Sequence, residues 1–262
     1  MAYTIAISGK GGVGKTTFAA LAVRFLSEDL GRTVLAVDGD PNATLGAMLG
    51  VPVGSTVADI REETLEKKDN IPAGMSKDRF VEYRIQQSIV EHPGFDLLTM
   101  GRPEGPGCYC FVNSLLRGYL DKATKDYPYV VMDTEAGMEH LSRRTTTGVD
   151  LLVIVTEPTV VGVDTARRIS ALIKTLPIAV RRSVVLANRV PPEGISQTVR
   201  ARIDGIGLPL VGEIPADEAI VESASSGRSL LELPKDNAVY AGVRDILARE
   251  LKLNVHKAIR SA

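Results

Sequence analysis

The stretch "SGKGGVGKTT", residues 8–17, limits what this chain can become more than any other. It satisfies G-x-x-x-x-G-K-[ST] through Gly9, Gly14, Lys15 and Thr16, and G-x-G-x-x-G through Gly9, Gly11 and Gly14. Both patterns need a buried strand, a glycine-rich turn and the start of a helix, because the turn's N–H groups and the helix N-terminus must face one anion. The flanks supply that context: "YTIAIS" at 3–8 reads as a strand and "KTTFAALAVRFLSEDL" at 15–30 as a helix with an apolar stripe. The Lys-Thr pair decides between the two patterns. A dinucleotide site needs no lysine on a terminal phosphate and no hydroxyl on Mg²⁺, whereas a nucleoside triphosphate site needs both. The N–H groups of Gly11, Gly12, Val13, Gly14 and Lys15 are expected to cradle phosphates. Lys15 is expected to neutralise the β and γ phosphates, Thr16 to ligate Mg²⁺ and Thr17 to reach the α-phosphate.

The remaining chain repeats the alternation. Strands are expected at 33–38, 95–100, 129–133, 150–156, 183–188 and 208–214, where near-continuous Val/Ile/Leu runs suit burial on both faces. Helical patterns between them predict an α/β fold with a mostly parallel central sheet flanked by helices, and a single domain over 1–262. Sites on such sheets gather at the carboxyl ends of the strands. Residues 55–92 break the rhythm: "REETLEKKDN" and "SKDRFVEYRIQQSIVEH" read as a helical insertion with a solvated face. At 240–262, Val243, Ile246, Leu247 and Leu251 fall at helical spacing without a bulky aromatic at the tip, which predicts a last helix packed on the sheet.

Charge excludes some partners. The formal net charge is −1, and Arg143–Arg144, Arg167–Arg168 and Arg181–Arg182 are scattered pairs, so neither nucleic acid nor acidic membrane is an expected partner. The longest apolar stretch, 149–163, is interrupted by Glu157 and Pro158 and is not expected to span a bilayer. The N-terminus shows no basic region or cleavage site, so a cytoplasmic location is expected.

Two acidic strand ends follow the phosphate loop. "VLAVDGDPNATL" carries Asp38 and Asp40, and "VVMDTEAGMEHLSRR" carries Asp133, with Gly137 four residues on. Carboxylates here are suited to orient a water or hold Mg²⁺, and helix capping or strand-end solvation is the alternative for Asp38. K-G-G-x-G-K-T-T, with its extra Lys10, resembles the deviant P-loop of the MinD/ParA/nitrogenase iron protein class. The resemblance implies a homodimer closing over two ATP molecules, with Lys10 crossing to the partner's nucleotide. It further implies Asp40 as the residue that positions the attacking water and Asp133 as the Walker B aspartate, both near Mg²⁺ with Thr16. Asn188, Arg189 and the Pro215–Asp217 segment resemble the class's adenine-binding segments. No guanine-reading N-K-x-D stands there, which favours ATP over GTP.

The chain's only cysteines, Cys108 and Cys110, lie one residue apart in the irregular loop 101–110. In a reducing compartment such a pair points to metal binding or catalysis; two small buried hydrophobes, or a strained disulfide, are the alternatives. Cys-x-Cys placed between the Asp40 and Asp133 segments, with Glu135 after Asp133, resembles the CooC-type nickel-insertion ATPases of carbon monoxide dehydrogenase maturation. That resemblance implies Ni²⁺ or Zn²⁺ held between two subunits, and carbon monoxide dehydrogenase or acetyl-CoA synthase as client. Two thiolates are half a tetrahedral site, and a two-fold dimer completes four. A MinD/ParA-like positioning ATPase and an iron–sulfur carrier or reductase are the competing functions. His140 reads as polar surface.

Overall fold

The computed structural model describes residues 2–66, 72, 74–101, 126–134, 148–176 and 178–253. Its described strands form one eight-stranded sheet: β1 (Tyr3–Gly9), β2 (Val34–Gly39), β3 (Val90–His92), β4 (Phe95–Thr99), β5 (Tyr129–Thr134), β6 (Gly148–Thr156), β7 (Ala179–Val190) and β8 (Leu210–Pro215). The order across the sheet is β3-β4-β2-β5-β1-β6-β7-β8. Every pairing is parallel except β3 with β4. After β1 the chain first fills the β2 side and then crosses to add β6, β7 and β8. The strand order therefore reverses at β1, and the phosphate-loop sequence leaves from that switch point.

Alternation along the strands sends residues to two apolar layers. Val34 and Ala36 of β2 join Ile5 and Ile7 of β1 on one face, while Leu35 and Val37 join Ala6 on the other. The first face is covered by α1 (Lys15–Arg24), α2 (Leu45–Leu49) and α8 (Ala238–Glu250). The second is covered by α3 (Val57–Glu66), α4 (Lys77–Ser88) and α5 (Val160–Ile173), with α6 (Gln197–Asp204) extending it over β7. The last helix thus packs on the sheet as its stripe predicts, with Val243, Ile246 and Leu247 buried. Its cap is Asn237, whose Oδ1 accepts from the N–H groups of Val239 and Tyr240. Among the described residues no helix is long and apolar enough to cross a membrane.

Three features depart from the sequence-based expectations. The 55–92 segment is more than a solvated insertion, because Val57, Ile60, Val81 and Ile85 are buried and roof β2 and β4. Its many charges frame a few apolar anchors and hide the inward stripe. The short strand β3 was not anticipated: it carries Glu91 and His92, lies antiparallel on β4 and ends the sheet with a charged edge. The first helix is not uniform either. Beyond Arg24 it widens into a π-helical turn, Phe25–Asp29, closed by the Leu30 N–H donating to the Phe25 carbonyl.

That turn meets α8 through Tyr240, a fully buried side chain. The Tyr240 hydroxyl donates to Asp29 Oδ2 at 2.8 Å, and the Arg24 guanidinium stacks 4.2 Å from the ring centroid. Arg24 also donates to Glu28 and to the Leu230 carbonyl. Burial and the Asp29 carboxylate push the Tyr240 phenol well above its ordinary pKa, so it stays a donor. Removing only the hydroxyl in Tyr240→Phe should cost about 1–2 kcal/mol, because Asp29 keeps its Lys235 contact. Tyr240→Ala should cost about 3–5 kcal/mol through the cavity it leaves. Urea unfolding of both variants measures this.

Candidate functional site

The chain between β1 and α1 is a loop that only glycine can build at two points. A Cβ on Gly9 would lie 2.3 Å from the Val155 carbonyl oxygen, and one on Gly14 would lie 2.3 Å from Asn188 Nδ2. Gly14 is also the residue before α1 and is left-handed at φ 94°. Asn188, expected on the edge of the base, has its amide nitrogen donating to the Val13 carbonyl at 2.8 Å. It braces the loop from β7, 175 residues away in sequence. Nothing in the local pattern signals this strut beyond an asparagine at a strand end.

Lys15 is 6% exposed and its Nζ donates to the Lys10 carbonyl at 3.3 Å, so the ammonium curls back over the loop that α1 opens onto. Lys10 itself is exposed, and Thr17 is half-buried on α1. Thr16 Oγ1 donates to Asp133 Oδ2 at 2.6 Å, joining residues 117 apart. The parallel register of β1 with β5 brings Asp133 opposite Ile7, which is how two separate motifs come to share one hydrogen bond.

Asp133 is 1% exposed and its second oxygen, Oδ1, has no hydrogen-bond partner among the described residues. A buried carboxylate oxygen without a partner is costly unless a ligand completes it. Together with the Thr16 hydroxyl it offers the hard oxygen donors that Mg²⁺ takes, with substrate phosphates and water filling the remaining positions. Magnesium therefore fits this pair, and bound there it would neutralise charge on the β and γ phosphates. Burial pushes the Asp133 carboxyl up to about 7; Asp38 and Asp40 add to the rise, while the Thr16 bond and the Lys15 charge oppose it.

Asp40 leaves the end of β2 half-buried, and its Oδ1 accepts from both the backbone N–H and the Nδ2 of Asn42. Asp38 is wholly buried beside Asp133 in the β2–β5 register, and burial raises its carboxyl to about 6. At the other side of the site, Arg189 is left-handed at φ 55° and pairs with Glu157 at 2.9 Å. Between the loops after β7 and β8 opens a cavity of about 700 Å³, lined by Val190, Pro191, Gly194, Pro215, Asp217 and Val221. Asp217 shapes its wall: it caps α7 (Glu218–Ser226) through the Ala219 N–H and accepts from Asn237 Nδ2. The structure thus brings Gly9 to Thr17, Asp40 and Asp133 together at the strand ends around β1, with Pro215 and Asp217 on the β8 side. Cys108, Cys110, Glu135, Gly137 and His140 lie outside the described residues.

The raised carboxyl of Asp133 predicts the pH dependence of the nucleotide-free protein. The folded state holds this proton to about pH 7, whereas the unfolded chain releases it near 3.8. Between those values the folded state binds more protons, so the group's contribution to stability falls as pH rises. Asp133→Asn removes the penalty and should stabilise the nucleotide-free chain by on the order of 2 kcal/mol at pH 8, with little change at pH 4. The comparison is urea unfolding of wild type and variant at the two pH values. The same variant should lose Mg²⁺-dependent turnover, since an amide is a poor metal ligand.

A family model described as the CobQ/CobB/MinD/ParA nucleotide binding domain matches residues 4–231. The chain is 46% identical over 244 residues to an uncharacterized ATP-binding protein of Methanocaldococcus jannaschii, covering 92% of this chain and 96% of that protein. It is 34% identical over 240 residues to the carbon monoxide dehydrogenase accessory protein CooC of Rhodospirillum rubrum, covering 87% and 89%. Among solved structures, MinD of Pyrococcus horikoshii OT3 complexed with Mg-ADP superposes with a TM-score of 0.69 at 23% identity over 95% of this chain and 96% of that one. MinD of Aquifex aeolicus superposes with a TM-score of 0.69 at 22% identity, over 96% and 97%. With its phosphate loop, its Thr16–Asp133 pair and a match over most of its length, this chain belongs to the CobQ/CobB/MinD/ParA family of nucleotide-binding P-loop ATPases.

Proposed function

We propose that this ATPase is a metallochaperone that carries Ni²⁺ or Zn²⁺ between two subunits and assists nickel insertion into carbon monoxide dehydrogenase, or into the related acetyl-CoA synthase. The observation that carries the reading is a hydrogen bond. The Met100 N–H donates to the Asp38 carbonyl at 2.8 Å, at the point where β4 hands over to the cysteine loop. Gly101 follows in a left-handed conformation, φ 71°, where a Cβ would lie 2.3 Å from Thr56 Oγ1. The segment bearing Cys108 and Cys110 therefore starts from a fixed point tied to β2, the strand that leads into Asp40. In this reading, a rearrangement at the γ-phosphate reaches the start of that segment through one backbone hydrogen bond. Similarity to CooC over most of both chains supports the same reading.

In this reading the N–H groups of residues 11–15 and the Lys15 ammonium bind the phosphates, and Thr16 and Asp133 hold Mg²⁺. The adenine rests against the Pro215–Asp217 wall, with Asn188 and Arg189 contributing from the end of β7. Asp40 orients water for attack on the γ-phosphate. Lys10, whose exposed side chain has no ion pair among the described residues, reaches the partner's nucleotide and stabilises the charge that develops during transfer. Closing two copies over two nucleotides brings two Cys108–Cys110 pairs to the dimer axis, and four thiolates suit a tetrahedral cargo ion.

Two measurements test this. Anaerobic equilibrium dialysis with elemental analysis should find about one Ni²⁺ or Zn²⁺ per two chains, with affinity altered by ADP or a non-hydrolysable ATP analogue. Cys108→Ser with Cys110→Ser should abolish that binding and leave ADP binding intact. One tight ion per chain, or unchanged binding in the double variant, would end the shared-site reading. Lys10→Ala and Asp40→Asn should each turn over slowly when alone. Mixed, they should recover part of the activity, because a lysine acting across subunits leaves one intact site in each mixed dimer. A mixture as slow as its components would place Lys10 in its own subunit's site.

A further inference from the structure

Asp38 is a wholly buried carboxylate that the reading above does not use. Its two oxygens take one backbone N–H each: Oδ1 accepts from Asp40 at 3.1 Å and Oδ2 from Leu45 at 2.8 Å. Those donors bracket the loop 39–44, the turn between β2 and α2 that bears Asp40. The loop is tightly constrained otherwise. Gly39 lies so close to β5 that a Cβ would sit 2.8 Å from the Asp133 carbonyl oxygen. Ala43 is left-handed at φ 52°, an unfavourable conformation for a residue with a Cβ, and its N–H donates to the Asp40 carbonyl at 2.9 Å. The strand end beneath is fixed by Met100 on the Asp38 carbonyl. A strained turn keeps its shape only where its surroundings hold it, and the Asp38 carboxylate is the group that clamps both ends of this one.

We infer that Asp38 is a positioning residue for ATP hydrolysis: its carboxylate closes the 39–44 loop and sets the place from which Asp40 acts on water. The inference rests on the catalytic reading of Asp40. Asp38 itself touches neither nucleotide nor water in this role. It works through geometry, and a misplacement of about 1 Å at a catalytic group is enough for a roughly 100-fold loss of rate.

Asp38→Asn is the discriminating variant. It has the same size and is neutral where burial disfavours charge, but its amide accepts through only one atom, so one of the two clamps is lost. In steady-state ATPase assays of the full chain, kcat should fall about 10–100-fold, while KM for ATP and the dissociation constant for ADP stay within about threefold of wild type. In the Asp40→Asn background the same substitution should add less than about threefold, because the group it positions is already gone. Asp38→Ser, smaller and also limited to one acceptor, should behave alike. Normal turnover in Asp38→Asn beside a slow Asp40→Asn would overturn this inference alone, and normal turnover in Asp40→Asn would overturn the catalytic reading and the inference with it. Multiplying losses in the double variant, a matching loss of ADP affinity, or failure of both Asp38 variants to show an ADP-induced thermal shift would make Asp38 a folding residue instead.

Discussion

The hydrogen bond from Thr16 to Asp133 organises this molecule. One partner opens the first helix and the other ends a strand 117 residues later, and neither reaches the other unless β1 and β5 pair in parallel with Ile7 opposite Asp133. The sheet order, the reversal at β1 and the burial of both strands on two faces therefore converge on one contact. Its cost is a carboxylate held out of water with one oxygen unpartnered among the described residues. A protein that needed only stability would place an apolar side chain there. The carboxyl kept at the end of β5 is the feature on which the proposed Mg²⁺ site rests.

The strands and the phosphate loop were legible in the sequence for a common reason. Parallel strands covered on both faces need uninterrupted Val, Ile and Leu, and a phosphate cradle needs glycine at defined spacings. Both demands are local, so they leave a local trace. The α3–α4 segment left a weak one, because its buried apolar residues, Val57, Ala58, Ile60, Phe80, Val81 and Ile85, are interleaved with many charged neighbours. The Asn188 strut left none: the Val13 carbonyl it satisfies is defined by a loop on the other side of the sequence, and nothing near residue 188 encodes it. Asp38 lay between these cases. Its position at a strand end raised both catalysis and capping as possibilities, and the structure shows it bonded to the backbone at Asp40 and Leu45.

Electrostatics gives the site a direction. Three carboxylates, Asp38, Asp40 and Asp133, stand close enough for burial and mutual repulsion to hold two of them well above the ordinary carboxylate range. Lys15 opposes that repulsion only in part. A magnesium–nucleotide complex brings both the cation that relieves the carboxylates and the anion that engages Lys15. In the proposed site, cation and phosphates would thus offset the carboxylate repulsion and the Lys15 charge together, at the ends of β2 and β5. The segment leading to the cysteines starts from β4, the strand hydrogen-bonded to β2 on its other side.

The π-helical turn at Phe25–Asp29 gives the first helix a fixed length. Such a turn holds one residue more than the α-helical turn it replaces, as though an insertion had been absorbed without disturbing either end. Removing that residue would regularise the helix but rotate everything beyond it by about 100° around the axis. Asp29 would then swing away from the Tyr240 hydroxyl, and the chain would enter β2 out of phase. Between the phosphate loop and the second strand, the residue count is itself a structural constraint, and a single-codon deletion there would be felt as far away as the final helix.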